Sequence, residues 1–407
     1  MLKGIFSVSI LISGFVCLSE ADDGALGVST ETRTQYEITD STEPSVFPKL
    51  LWEKKLSKPI TSSAISKDGT KIAIADETGY LTVYNTKGGK LWTYRYIGKL
   101  PGRTYEFKSE KSDTALLNIQ FSSSGKHIVC DLGVMNTWDS LEGFDNFERY
   151  EPYKKLCFDS EGKLLWQNSK KGDHVIGGDT YVLIKPRISD DSCGEGDCDP
   201  YAAAPVTYYL LNMKGQTVFT GKTGGQNAAT YGFSGDGEYV FVHNKLVKSA
   251  DGSIVWVSRG QFEEIYGNLI IQAGKVCDIV TRKEFSRINA YKVSLTSNYV
   301  AGMVWDLGII TVTVYEIKNG HIVWTRQYKN KEILGKDILF YLTKDEKHFL
   351  LGSETGMLFY DISGQKIGEL KITPKVVWPQ YFGYSISKNG EYVLLGHEKT
   401  IKLYMPF

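Results

Sequence analysis

A chain of 407 residues with 42% hydrophobic and 13% aromatic side chains has ample material for a large core, which excludes a wholly disordered or fibrous protein. Lys+Arg and Asp+Glu both number 47, and no basic stripe runs along the chain, so nucleic acid is not an expected partner. The six histidines are scattered and belong to no His-Glu-x-x-His, nucleophile-elbow or phosphate-loop motif, so no local signal marks an enzyme.

Residues 1–21 read as an export signal. Lys3 supplies the positive start, Ile5 to Cys17 the apolar stretch, and Ser19-Glu20-Ala21 a small-x-small cleavage site. That stretch is short for a membrane span, and no later segment approaches the roughly twenty apolar residues a span needs. A lipoprotein anchored at Cys17 is the rival reading, although Phe15 and Val16 stand where a lipobox wants smaller residues. The expected product is exported: periplasmic, cell-surface or extracellular. Residues 22–48 are rich in Thr, Ser and acids without apolar periodicity, which reads as a disordered tether.

From residue 49 to 407 one phrase returns: a turn, two or three apolar residues, then an aromatic. It stands as Leu50-Leu51-Trp52, Lys90-Leu91-Trp92, Leu164-Leu165-Trp166, Ile254-Val255-Trp256 and Ile322-Val323-Trp324, with weaker copies at Phe219, Phe285 and Ile367. Self-similarity at roughly forty residues means one supersecondary unit copied and stacked. Each copy opens with a hairpin around Asp-Gly, Asn-Gly or Ser-Gly, as in Ser66-Lys67-Asp68-Gly69, Ser122 to Gly125, Ser234 to Gly237 and Ser387-Lys388-Asn389-Gly390. There glycine supplies the positive φ of a tight turn between β-branched strands. A third strand follows, such as Tyr80 to Tyr84 or Met357 to Tyr360, and then the Trp-type strand. Four strands per copy is the content of a propeller blade. Counting third strands gives about eight blades; seven stays open because the copy between Gln261 and Phe285 is short. Leu50 to Lys55 is a fourth strand without predecessors and Thr400 to Tyr404 a third strand without successor, so the N-terminal strand is expected to complete the last blade. The expectation is an all-β fold, a single closed β-propeller of four-stranded blades. The recurring Trp is expected to pack between neighbouring blades.

Two insertions interrupt the pattern. Gly133 to Tyr153 carries Trp138, Phe144, Phe147 and Tyr150 among acids, and is read as an aromatic-rich loop for partner binding. Lys185 to Val206 carries Asp190, Asp191, Glu195, Asp197 and Asp199, a density of hard oxygens that makes calcium the candidate ion, although the spacing is not that of the helix-loop-helix calcium site. No other cofactor is expected. Without Cys17 the six cysteines become five. Cys193 and Cys198 share this second insertion with Gly194 and Gly196 and are expected to form a disulfide; a Cys130–Cys157 bridge is a further candidate, leaving Cys277 as a small buried hydrophobe. His127 and His348 occupy one repeat position and His397 follows a second strand, so all three are expected to be structural.

The phrase Gly79-Tyr80-Leu81-Thr82-Val83-Tyr84-Asn85 followed by Gly89-Lys90-Leu91-Trp92, and its copies ending at Trp166 and Trp324, resembles the pyrroloquinoline-quinone-like propeller repeat. The Ser-x-Asp-Gly hairpins are similar to those of WD-repeat propellers. The resemblance covers residues 49–407 and implies architecture only: the vicinal cysteines of the quinone-dependent dehydrogenases are absent here. The functional expectation is an exported, monomeric, non-catalytic propeller that binds another protein or an envelope component. The alternatives are an exported hydrolase or lyase with a metal in the central channel, and a carbohydrate-binding module.

Overall fold

Short runs rich in Val, Ile, Leu and Tyr, bounded by turn residues, are built to pair with their immediate neighbours, and they do. The computed structural model describes residues 48–97, 111–138, 147–170, 172–185, 207–222, 230–234, 236–259, 262–288, 290, 292–306, 308–329, 339–353, 356–371 and 382–406. They form eight four-stranded antiparallel sheets. In chain order the blades span 60–95, 111–168, 173–222, 231–257, 262–287, 292–329 and 339–371, and the eighth joins 382–405 to the strand Lys49–Lys55. First strands of successive blades touch from blade 8 through blade 1 to blade 7, so they line the ring's inside. Blades 7 and 8 are linked by the Lys344 amide donating to the Lys388 carbonyl.

The short copy is a full blade, so the count is eight. Its strands Phe262–Tyr266 and Leu269–Gln272 turn in two residues, as do Leu269–Gln272 and Lys275–Asp278. The second turn places Ala273 at φ 48° and Gly274 at 72°, the doubly left-handed turn that matches strand twist. Lys49–Lys55 closes the ring antiparallel to Thr400–Met405, from Lys49 opposite Met405 to Lys55 opposite Thr400.

A core cluster lies at each junction rather than one at the centre; for example Trp324 of blade 6 packs with Phe349 and Tyr360 of blade 7. The recurring Trp has a specific partner there. Four of the five indole N–H groups donate to a carbonyl in the turn before the outer strand of the next blade: Trp52 to Thr86 (2.8 Å), Trp92 to Ser160 (3.0 Å), Trp166 to Met213 (2.8 Å) and Trp324 to Ile362 (3.1 Å). The ring lies on that turn's glycine, so a Cβ on Gly162 or Gly364 would stand 2.6 Å from the Trp92 or Trp324 ring. Both glycines also hold φ 88°, which a larger residue resists. Phe219 covers Gly252 in the same way, and Arg282 of blade 5 lies over Trp256 at 5.6 Å. Trp324→Ala should therefore cost about 3–5 kcal/mol, the range for truncating a buried aromatic, read as a lowered midpoint in urea.

Antiparallel topology sorts the connections onto two faces. Hairpins joining strands one and two, and turns joining three and four, lie on the face called here the hairpin face. Connections from strand two to three, and from blade to blade, leave from the opposite end.

Candidate functional site

The first insertion is not an irregular loop. Three strands of blade 2, Lys111–Phe121, His127–Trp138 and Phe147–Asp159, run past the length of their counterparts and stay paired. Lys111 is opposite Thr137, and Thr137 opposite Glu148; the last pair is Trp138 with Phe147. The extension is thus a three-stranded β-ribbon leaving the face opposite the hairpins. Pro152, which lacks an N–H, sits where the register slips between Leu132 and Gly133, a break that a strand tolerates as a bulge. Met135 is opposite Tyr150, and Trp138 opposite Phe147, so three of the four expected partner-binding aromatics belong to ribbon strands. Phe144 lies outside the described residues.

At the ribbon's base sits a buried charged group that sequence reasoning missed. Asp131 and Lys155 are direct cross-strand partners, both fully buried, with Nζ 2.6 Å from Oδ1. His174, from the first strand of blade 3, brings Nδ1 to 2.8 Å of the same oxygen, and Lys155 also donates to the Gly172 carbonyl. A bulge between Leu117 and Gln120 places Asn118 at φ 50°, a left-handed conformation Asn accepts better than most residues. The bulge sends its two residues to different neighbours. The Asn118 amide nitrogen lies 3.2 Å from His174 Nδ1 and 3.5 Å from Asp131 Oδ2, while the Ile119 amide donates to Ser62 Oγ of blade 1 at 3.1 Å. Gln120 completes the tie to blade 3, donating to the His174 carbonyl (2.8 Å) and accepting from the Ile176 amide (3.2 Å). Burial alone would raise the Asp131 carboxyl, but the charges and hydrogen bonds of His174 and Lys155 outweigh it and hold the carboxyl below its ordinary value. Sealed from solvent, the group cannot meet a substrate, and it fixes the ribbon to both neighbouring blades. One signal was available: Asp131 stands fifth after its hairpin, where other copies have Ala75, Gly352 and Gly396.

The candidate Cys130–Cys157 bridge does not form. Cys130 is opposite Leu156, and Val129 opposite Cys157, so the two thiols point to opposite faces of the sheet. Cys130 packs into the junction with blade 1 and Cys157 into that with blade 3. Both are free and buried, and burial pushes the Cys157 thiol up to about 12, as expected of unreactive packing groups. Cys277 is also free and buried. Cys193, Cys198, Asp190, Asp191, Glu195, Asp197 and Asp199 lie outside the described residues; the strands that flank them, Tyr181–Lys185 and Thr207–Asn212, end on the ribbon's face in the adjacent blade. Among the described residues no group of three His, Cys, Asp or Glu is placed to hold a metal ion. His127 and His348 begin second strands, each amide donating to its hairpin hydroxyl, Ser122 or Thr343.

Eight four-stranded blades in a closed ring, four of their junctions made by Trp-on-turn contacts, define the class as a β-propeller of the quinone-like and WD-repeat architecture. No protein-family model and no curated protein sequence matches the chain. Among solved structures it is similar to BamB from Moraxella catarrhalis, at 12% identity over 88% of this chain and 99% of that one, with a TM-score of 0.54. It is also similar to the C-terminal WD40 domain of Sif2, at 11% identity over 89% of this chain and 99% of that one, with a TM-score of 0.56. At such identities the likeness is one of fold. No helix among the described residues is long and apolar enough to cross a membrane.

Proposed function

We propose that this chain is an exported, non-catalytic propeller scaffold that binds another protein or an envelope component through the ribbon of blade 2 and the neighbouring insertion of blade 3. The observation that carries this reading is the ribbon itself. Among the described residues the seven other blades close and pack without a paired three-stranded extension, so the added strands answer a need outside the fold. A paired β-ribbon whose strands include Trp138, Phe147 and Tyr150, with its base tied to blades 1 and 3, would offer aromatic anchors of the kind recognition favours. Export rests on the signal-like residues 1–21. Substituting Trp138, Phe144 and Phe147 together by Ala should abolish capture of the partner from an envelope extract while leaving the melting temperature within about 2 °C of the parent, since a ribbon tip contributes little core. Capture that survives the triple change removes the ribbon from the binding surface.

A further inference from the structure

The junction between blades 4 and 5 departs from the other Trp junctions. Seven turns join a third strand to a fourth, and in six of them the left-handed residue is glycine: Gly88, Gly162, Gly215, Gly252, Gly320 and Gly364. In blade 5 it is Arg282, at φ 59°. A side chain with a Cβ resists that conformation, and residues held in it concentrate where function rewards the strain. The Arg282 guanidinium lies 5.6 Å from the Trp256 ring and donates to the Val255 carbonyl at 3.2 Å. Among the described residues it has no ion-pair partner. Trp256 is also the one Trp of the repeat whose indole N–H makes no bond to a turn, and among the described residues it makes none at all. The remaining guanidinium donors and the indole donor therefore stand together, unused.

Apolar surface adjoins them. Of the five most exposed large hydrophobic residues described, three are here: Val280 (70%) in the turn of Arg282, and Ile254 (59%) and Val257 (56%) on either side of Val255 and Trp256. Their strand, Ile254–Val257, is the outermost of its sheet and carries no charged residue. The ground around this patch is basic. Residues 245–259 and 275–287, the outer strands and turns of blades 4 and 5, hold seven lysines and arginines against three acids, a surplus of four positive charges in a chain whose total is balanced. Each acid is already engaged. Glu284 pairs with Lys275 at 3.0 Å and Arg287 at 2.7 Å, Asp251 accepts from the Ser253 amide, and Asp278 accepts from the amides of Val280 and Thr281.

We infer that this rim is a docking site for an acidic segment of a partner protein, whose carboxylate is received by the Arg282 guanidinium and the Trp256 indole N–H while its apolar side chains cover Ile254, Val257 and Val280. The planar fork of arginine matches a carboxylate in two parallel bonds, and stacking on the indole holds it in place before the partner arrives. Trp and Arg beside aliphatic residues is the composition of interface hot spots, and the basic surround draws an acidic partner towards them. The site is separate from the ribbon. It lies at the outer rim of blades 4 and 5, where the turn of Arg282 belongs to the hairpin face, whereas the ribbon leaves the other face from blade 2.

The probe is a fluorescein-labelled eight-residue peptide of alternating glutamate and valine, titrated with the full chain at low salt and read by anisotropy. Saturable one-to-one binding is expected. The dissociation constant should rise about tenfold in Arg282→Gly, the effect of losing a charge-assisted hydrogen bond, and less in Arg282→Lys, which keeps the charge without the fork. Because glycine accepts φ 59° freely, Arg282→Gly should melt no lower than the parent. Affinity should stay unchanged in Lys87→Gln, which removes an exposed charge from the corresponding turn of blade 1, and in the triple ribbon variant. Absence of saturable binding, or affinity that persists in Arg282→Gly, overturns the proposal. So does a melting temperature of Arg282→Gly more than about 5 °C below the parent, which would make Arg282 a packing residue. Equal affinity for a DNA oligomer of the same charge would mark a general polyanion surface and overturns it as well.

Discussion

A chain lacking residues 1–58 should unfold more than about 10 °C below one lacking only residues 1–44, and should aggregate where the longer chain stays monomeric. The shorter deletion leaves the closing strand Lys49–Lys55 whole. The longer one removes the ladder against Thr400–Met405, the Leu51 and Trp52 contacts with Ile401 and Leu403, and the Trp52 bond to Thr86 that joins blade 8 to blade 1. Loss of the buried aromatic alone costs about 3–5 kcal/mol, and each kcal/mol moves the midpoint by roughly 2–4 °C in a domain of this kind. The exposed edge at Thr400–Met405 then offers unpaired amides and carbonyls to a second chain. Thermal unfolding followed by light scattering reads both effects, and equal midpoints would refute closure by the N-terminal strand.

Asp131→Asn should cost about 3–5 kcal/mol, because it strands the buried Lys155 ammonium without its counter-charge. Pairing Asp131→Leu with Lys155→Met should recover most of that loss, since an apolar pair of similar volume needs no compensation. The pH dependence has a definite sign. The Asp131 carboxyl is lowered in the folded protein, so its contribution is present above the unfolded value near 4 and is lost as pH falls through the folded one. Urea midpoints of the parent should therefore fall more steeply below about pH 4 than those of Asp131→Asn. Parallel acid profiles would show that the carboxyl carries no such stabilisation.

The propeller was legible because its turns and strands are local statements. Asp68-Gly69 or Asn389-Gly390 makes a hairpin from two residues, and the Trp phrase marks five of the outer strands. Blade 5 was ambiguous for the same reason: strands of four and five residues carry little periodicity, and only its two-residue turns reveal a complete sheet. The ribbon was legible as an insertion but not as strands, since Met135 to Trp138 and Phe147 to Tyr153 mix polar, aromatic and Pro residues without alternation. Pairing, not patterning, makes those segments extended. The faces taken by Cys130 and Cys157 depend on a register that no spacing between them encodes. Likewise, Asp131, Lys155 and His174 come from three strands and two blades, so only the odd charge at Asp131 showed in one dimension.

The Trp-on-turn contact has a direction: at all four junctions where it is made it runs from an outer strand to the following copy. Head-to-tail joints of one kind can be satisfied everywhere only when the series returns on itself. The indivisible module is therefore the joint, half of it written in one repeat and half in the next, as Trp324 is in blade 6 and Gly364 in blade 7. A single blade transplanted from another propeller would carry an indole without its glycine and a glycine without its indole. Chimeras should be cut between the covered turn and the outer strand that follows it, as between Gly364 and Ile367, so that every Trp travels with the turn it covers.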